Sequence, residues 1–196
     1  MMKHIGQHYS KGGLWSLFLL CAFPLHVWTL FLALRDISWL WERTNLSDAI
    51  GVLCYGLVFA FVESLLVFGI FALLGFLISR RWSEEKRIIL LGTFIWILAF
   101  WSILLQYSNV HEWFPSEPLL TMIAGSGHPL RNLYLFAFIM LVPSIVLPAA
   151  LVLFSEKFVR FCVELSDRLS LLTMVYLFFD VLALFVVIFR NLKGGT

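Results

Sequence analysis

Charge is what this chain has least of. Only 13% of its 196 residues are Asp, Glu, Lys or Arg, and 61% are hydrophobic, whereas soluble domains run near 25% charged. A sphere of this size could not hide that much apolar surface from water, so an ordinary soluble domain is excluded and lipid must cover most of the surface. The net charge of +2 is small and the basic residues form no continuous stripe, which leaves nucleic acid without a footing as a partner. Cysteine is scarce too. Cys21, Cys54 and Cys162 show no CxxC or other ligand spacing and no two share a clear depth, so they read as small packing residues rather than a disulfide or a metal site.

Catalytic signatures are missing as well. His111-Glu112 is followed by Trp113, Phe114 and Pro115, without the second histidine of a zinc-protease helix. Gly125-Ser126-Gly127 lacks the spacing and the strand-turn-helix setting of a nucleophile elbow. No motif points to a cofactor, and there is no internal repeat and no low-complexity linker.

What the chain does have is five long apolar runs, approximately 14–34, 49–79, 88–107, 133–154 and 169–189. A hydrocarbon core of about 30 Å takes roughly 20 residues of helix to cross, and each run meets that length. The expectation is one integral membrane domain over 1–196, an all-α polytopic bundle of about five spans. The first run resembles a signal peptide only in following Lys3 and Lys11; it is too long and no small-x-small site follows, so an uncleaved span is expected. Lys and Arg are more numerous before span one, between spans two and three, and between spans four and five than on the other side. That bias places the amino terminus in the cytoplasm and the carboxyl terminus outside, although Arg190 and Lys193 oppose it. Low cysteine use and short loops lean toward a bacterial inner membrane. Trp15 and Trp82 then mark the inner boundary, and Trp39, Trp41 and Trp113 the outer one.

Several local features qualify a plain bundle. Span two is too long for the membrane and must tilt, project, or begin with an interfacial turn near Asp48. Asn45-Leu46-Ser47 fits a glycosylation pattern, but a helix start with Ser47 or Asp48 as cap is preferred. Pro143 and Pro148 in span four remove backbone donors and should kink the helix at the carbonyls of Ile139 and Ser144. Between spans four and five, Phe158, Phe161, Cys162 and Leu165 recur at helical spacing, with Glu156, Arg160, Glu164 and Arg168 four apart. They predict a short amphipathic helix on the cytoplasmic face, or else an extension of a neighbouring span. Prolines and glycines make continuous helix improbable across 108–132, whose apolar middle could dip among the headgroups. Gly51, Gly56, Gly69 and Gly75 in span two would let another helix approach closely.

Polar chemistry has few places to live. His26, Glu63 and Asp180 lie near the middle of spans one, two and five, where a charge costs about 2.5–3.5 kcal/mol on insertion scales. Two carboxylates and an imidazole at one depth could clamp helices together or bind a proton or cation, and at least His26 and Glu63 are expected within side-chain reach. A second set, His111, Glu112, His128 and Arg131, with Glu117, occupies the outer loop and reads first as ordinary polar loop. His4 and His8 stand in the amino-terminal tail.

Three functional readings follow. The leading one is a non-enzymatic subunit or accessory component of a membrane complex, with lipid and other membrane proteins as partners. A proton- or cation-coupled transporter would use His26, Glu63 and Asp180, with the proline-containing span as a gate. A membrane-embedded enzyme acting on a lipid-linked substrate would use the outer-loop residues as acid, base and anion-binding groups.

Overall fold

Each apolar run ends where a cap or a charged turn takes over the backbone. The computed structural model describes residues 9–36, 42–79, 81–111 and 116–193, with backbone alone at 109–111 and 193. Lys3, His4, His8, Trp39, Trp41, Arg80, Glu112 and Trp113, and the side chains of His111 and Lys193, lie outside the described residues. Among those described there is no strand.

Helix α1 spans Lys11–Arg35, capped by Ser10, whose hydroxyl accepts the Gly13 N–H at 2.9 Å. Helix α2 spans Leu46–Leu74 and tightens into a 3-10 turn at Gly75–Leu77. Its cap is Asn45, whose side-chain oxygen accepts the Asp48 N–H at 2.9 Å. The expected caps, Ser47 and Asp48, are therefore corrected: both stand inside the first turn, where Asp48 favours the positive helix end. Helix α3 spans Glu84–His111 and opens on Glu84 and Glu85 for the same reason. A two-turn helix, α4 (Glu117–Ala124), occupies the loop in which continuous helix was not expected. It is tolerated because Pro118 falls in the first turn, where no helical donor is lost, and because the helix stops at Gly125. Helix α5 (Pro129–Phe154) starts on a proline and runs unbroken through Pro143 and Pro148.

Helix α6 spans Glu156–Lys193, 38 residues, or about 57 Å at 1.5 Å per residue. The amphipathic segment expected between spans four and five is helical, as predicted, but it is the first part of this same helix. Only Ser155 separates it from α5. Among the described residues five helices (α1, α2, α3, α5 and α6) are long and apolar enough to cross a membrane, so the chain is a multi-pass helical bundle.

Helix α1 is the hub, packed against α2, α3 and α6, while α5 leans on α3 and the start of α6. In α1, 44% of the most apolar stretch is buried, but in α5 only 6%. Leu17, Cys21, Phe71, Leu91 and Ile95 form one core cluster joining α1, α2 and α3. Cys54 and Leu57 of α2 meet Ala183 and Val187 of α6 in another. Helix α5 is tied at two points: the Lys86 ammonium donates to the Leu153 carbonyl at 2.8 Å, and the Trp101 indole donates to the Ser144 hydroxyl at 2.9 Å. The first bond meets a carbonyl that no following helical N–H can reach.

Two of the span-two glycines make room for side chains of this same chain. A Cβ on Gly51 would stand 2.7 Å from the Arg190 guanidinium, and one on Gly75 would collide with the Tyr9 hydroxyl. Arg190 fills its notch while bonding the Ser47 carbonyl at 2.6 Å and the Asp48 carboxylate at 2.6 Å, which fastens the end of α6 to the start of α2. Gly69 has open space around its missing side chain.

Replacing Gly51 by Leu should therefore displace Arg190 and lower stability by about 1–3 kcal/mol, the usual range for overpacking. In a double-mutant cycle read by thermal unfolding in detergent, Arg190→Ala should remove most of the cost of Gly51→Leu. Additive losses would place the strain elsewhere.

Candidate functional site: a buried histidine–aspartate pair

A bilayer core offers no water to a polar side chain, so an imidazole in a span has to find its partners in protein. His26 sits on α1 in the middle of the bundle and is fully buried. Two residues before it, Pro24 leaves the Leu20 carbonyl without a helical donor, yet α1 continues through it. The Nδ1 of His26 lies 2.7 Å from the Ala22 carbonyl one turn back, and its Nε2 lies 2.8 Å from Oδ2 of Asp180 on α6. Asp180 is only 5% exposed.

These contacts fix the proton count. A carbonyl oxygen can only accept, so Nδ1 carries a hydrogen. A single proton then remains for the contact between Nε2 and Oδ2. Either an imidazolium donates it to a carboxylate, or a carboxylic acid donates it to a neutral imidazole. The pair is electrically neutral in both arrangements, which is how two ionisable groups can share a low-dielectric interior without a bare charge. Of the carboxyl oxygens only Oδ2 is used; Oδ1 has no hydrogen-bond partner among the described residues.

Aromatic rings wall the pair. The Tyr176 ring, one turn before Asp180, lies nearly parallel to the imidazole at 7° with centroids 6.1 Å apart. Phe23 stands 6.4 Å from Tyr176 and stacks on Trp96 of α3 at 5.3 Å. The neighbouring buried hydroxyls are already committed. Ser64 donates to the Ala60 carbonyl at 2.6 Å and Thr173 to the Leu169 carbonyl at 2.8 Å, each within its own helix.

The buried face of α6 is built for this. Ser166, Thr173, Asp180 and Val187 are all buried and stand seven residues apart, so one stripe of the helix faces the bundle. Its outward positions, such as Leu171, Phe178, Phe185 and Phe189, are exposed hydrophobics. Polar inside and oily outside is the reverse of a soluble helix, as a lipid solvent requires.

The structure thus unites two of the three mid-span residues. The expected approach of His26 and Glu63 is corrected: His26 meets Asp180, while Glu63 is exposed on the outward face of α2 and forms no hydrogen bond or ion pair among the described residues. The reason is helical phase. Ser64 is the buried position of that turn, and one residue rotates a side chain by about 100°. In the loop between α3 and α5, His128 is the exposed residue before α5 and caps it with no side-chain bond, and Arg131 is exposed in the first turn of α5. Glu117 is exposed at the start of α4. Among the described residues no group of three or more His, Cys, Asp or Glu is placed to hold a metal. Cavities of about 340–500 Å³ open between the helices, and neither His26 nor Asp180 lines them. Pro148 does line one of them, of about 500 Å³, together with Trp101 and Ser144. Sequence reasoning passed over the Ala22 carbonyl, to which His26 stands in the i+4 position; Tyr176, expected only as a possible oxygen ligand, instead stacks on the imidazole. The seven-residue phase shared by Ser166, Thr173 and Asp180 was the signal for α6.

The chain matches no family model, no curated protein and no solved structure.

Breaking the pair from one side should cost more than removing it whole. Asp180→Leu leaves Nε2 buried and unmet, a loss of about 1–3 kcal/mol, whereas replacing both partners by apolar groups can be nearly neutral. The double variant His26→Phe with Asp180→Leu should recover most of the lost stability in unfolding titrations. Equal losses from the single and double variants would show that the hydrogen bond is not what holds α1 to α6.

Proposed function

We propose that this chain is a non-enzymatic subunit of a larger membrane assembly. Glu63 carries the reading. It stands seventeen residues from Leu46 and fourteen from Leu77, roughly 20–25 Å along the helix from either end, and it faces away from the bundle. A charged side chain there costs about 2.5–3.5 kcal/mol on insertion scales, and acidic residues within spans normally face a bundle interior or a wet cavity. In an assembly the exposed face of α2 becomes interior, and the carboxyl gains its partner from another chain.

The His26–Asp180 pair fits the same role as an internal clamp. It joins the hub helix to the helix that closes the bundle, and it neutralises itself without help. Transport would need a route to that pair, and the cavities between the helices run elsewhere. The positive-inside bias supports an amino terminus in the cytoplasm and a carboxyl terminus outside, in a bacterial inner membrane.

Extraction from native membranes into lipid nanodiscs, followed by native mass spectrometry, should give a particle heavier than the 22.6 kDa chain, containing at least one other protein. Recovery of a lone chain would defeat the subunit reading. The orientation is checked separately by single cysteines placed at Ser10 and Leu192 in a cysteine-free background. An impermeant maleimide applied to intact cells should label the second and spare the first; labelling of both, or of the first alone, would reverse or discard the assignment.

A further inference from the structure

Along α2 and the 3-10 turn that ends it, the outward positions Val52, Phe59, Leu66, Ile70, Leu73 and Leu77 are all 53% exposed or more. With Gly56 and Glu63 they recur at alternating steps of four and three residues, the spacing by which one helix lays a continuous seam against another. Glu63 is the single polar group in that seam. A lone polar residue at such a position sets register and partner, because any misaligned neighbour leaves it unmet.

The seam also leads into a built groove. Between the far end of α1 and the start of α2 lies an apolar cavity of about 480 Å³, and Val52 and Gly56 of the seam line it together with Thr29 and Leu30 of α1. A helix lying along the seam would seat one end in this groove. Farther along, Gly69 borders Leu66 and Leu73 and has nothing within 4 Å of where a side chain would begin, so the backbones can approach closely there.

From these features, and resting on the subunit reading above, we infer the chemistry of the partner: a transmembrane helix of a different protein that sets a Lys or Arg against Glu63 at mid-membrane depth. Charge complementarity selects a cation, since a basic group neutralises the carboxylate where no water can. This chain cannot supply it. Every Lys and Arg lies outside 14–34, 49–79, 88–107, 133–154 and 169–189, and its one mid-span histidine is buried against Asp180. A second copy brings no mid-span Lys or Arg either, and packed seam to seam it would set Glu63 against Glu63, so like would face like. The partner is therefore a different chain, with its basic residue at the level of Glu63 and a small or apolar stretch about two to three turns farther on to enter the groove.

The test uses the full chain in liposomes, donor-labelled, with acceptor-labelled Leu/Ala transmembrane peptides carrying either one central Lys or a central Leu. Energy transfer should show the Lys peptide binding at least tenfold more tightly. Glu63→Gln should abolish that preference, while Glu85→Gln, a carboxylate exposed at the bundle end, should leave it intact. Because Glu63 is exposed and forms no hydrogen bond or ion pair among the described residues, its substitution does not threaten the fold, and unchanged thermal unfolding confirms that. Equal binding of the two peptides, a Lys preference that survives Glu63→Gln, or Glu63-dependent self-association tighter than the Lys peptide would each overturn the inference. The two levels of argument fail separately. Extraction as a lone chain sinks the subunit reading, whereas an intact native assembly combined with equal peptide binding sinks only the partner's assigned chemistry.

Discussion

Hydrocarbon accepts no hydrogen bonds, and the arrangement of this bundle follows from that one property of its solvent. Backbone groups are met by making nearly everything helix. Side chains have to be met by turning inward, so the buried stripe of α6 carries Ser166, Thr173 and Asp180 while its Leu and Phe residues face out. The same demand explains why Ser64 and Thr173 spend their hydroxyl hydrogens on carbonyls of their own helices, and why His26 is bonded through both ring nitrogens. In such a solvent burial of apolar surface does not drive helices together, since lipid is as apolar as leucine. Fit and polar contacts decide which helices meet.

That shifts the weight of the fold onto α1. It is the most buried span and the common neighbour of α2, α3 and α6, and the one hydrogen bond between buried side chains of different helices runs from it to α6 among the described residues. Polar ties at the ends of the bundle, Arg190 to Asp48 and Lys86 to the Leu153 carbonyl, stand nearer water and contribute less, because solvent competes for them. Helix α5 is the exception to tight packing. With so little of it buried, its place is set by the Trp101–Ser144 bond, by the Lys86 bond at its end, and by the contacts of Val152 with Ile89 and Leu90.

The spans themselves were legible in the sequence because length and oiliness are the whole signal: each expected run falls inside an observed helix, apart from the last residues of span two. The depth of His26 and Asp180 was legible too, by counting from either end. Which of the mid-span residues would meet was not, because depth says nothing about rotation. In α2 almost every position is apolar, so periodicity could not tell the Ser64 side from the Glu63 side, and a pairing of His26 with Glu63 looked as good as the true one. In α6 the answer was available: polar residues seven apart mark a single face, and Asp180 lies on it. Boundaries failed where side-chain chemistry competes locally. Asn45 takes the cap that Ser47 or Asp48 could also have filled, and helix continues from 156 into the fifth span because no proline or glycine stands in the way.

Seen together, the polar side chains of the membrane-spanning region divide by whether this chain satisfies them. His26 and Asp180 cancel each other, and Ser64, Thr173 and Ser144 are bonded within the bundle. Glu63 alone among the mid-span ionisable residues is carried on the outside. The bonds that hold the helices together do not involve it, since it forms no hydrogen bond or ion pair among the described residues. Protonation would relieve the charge but still leave a donor and an acceptor facing lipid, and a Leu in the same place would be free of that cost. Under the subunit role proposed above, that cost is relieved by whatever covers this face of α2 in the assembly.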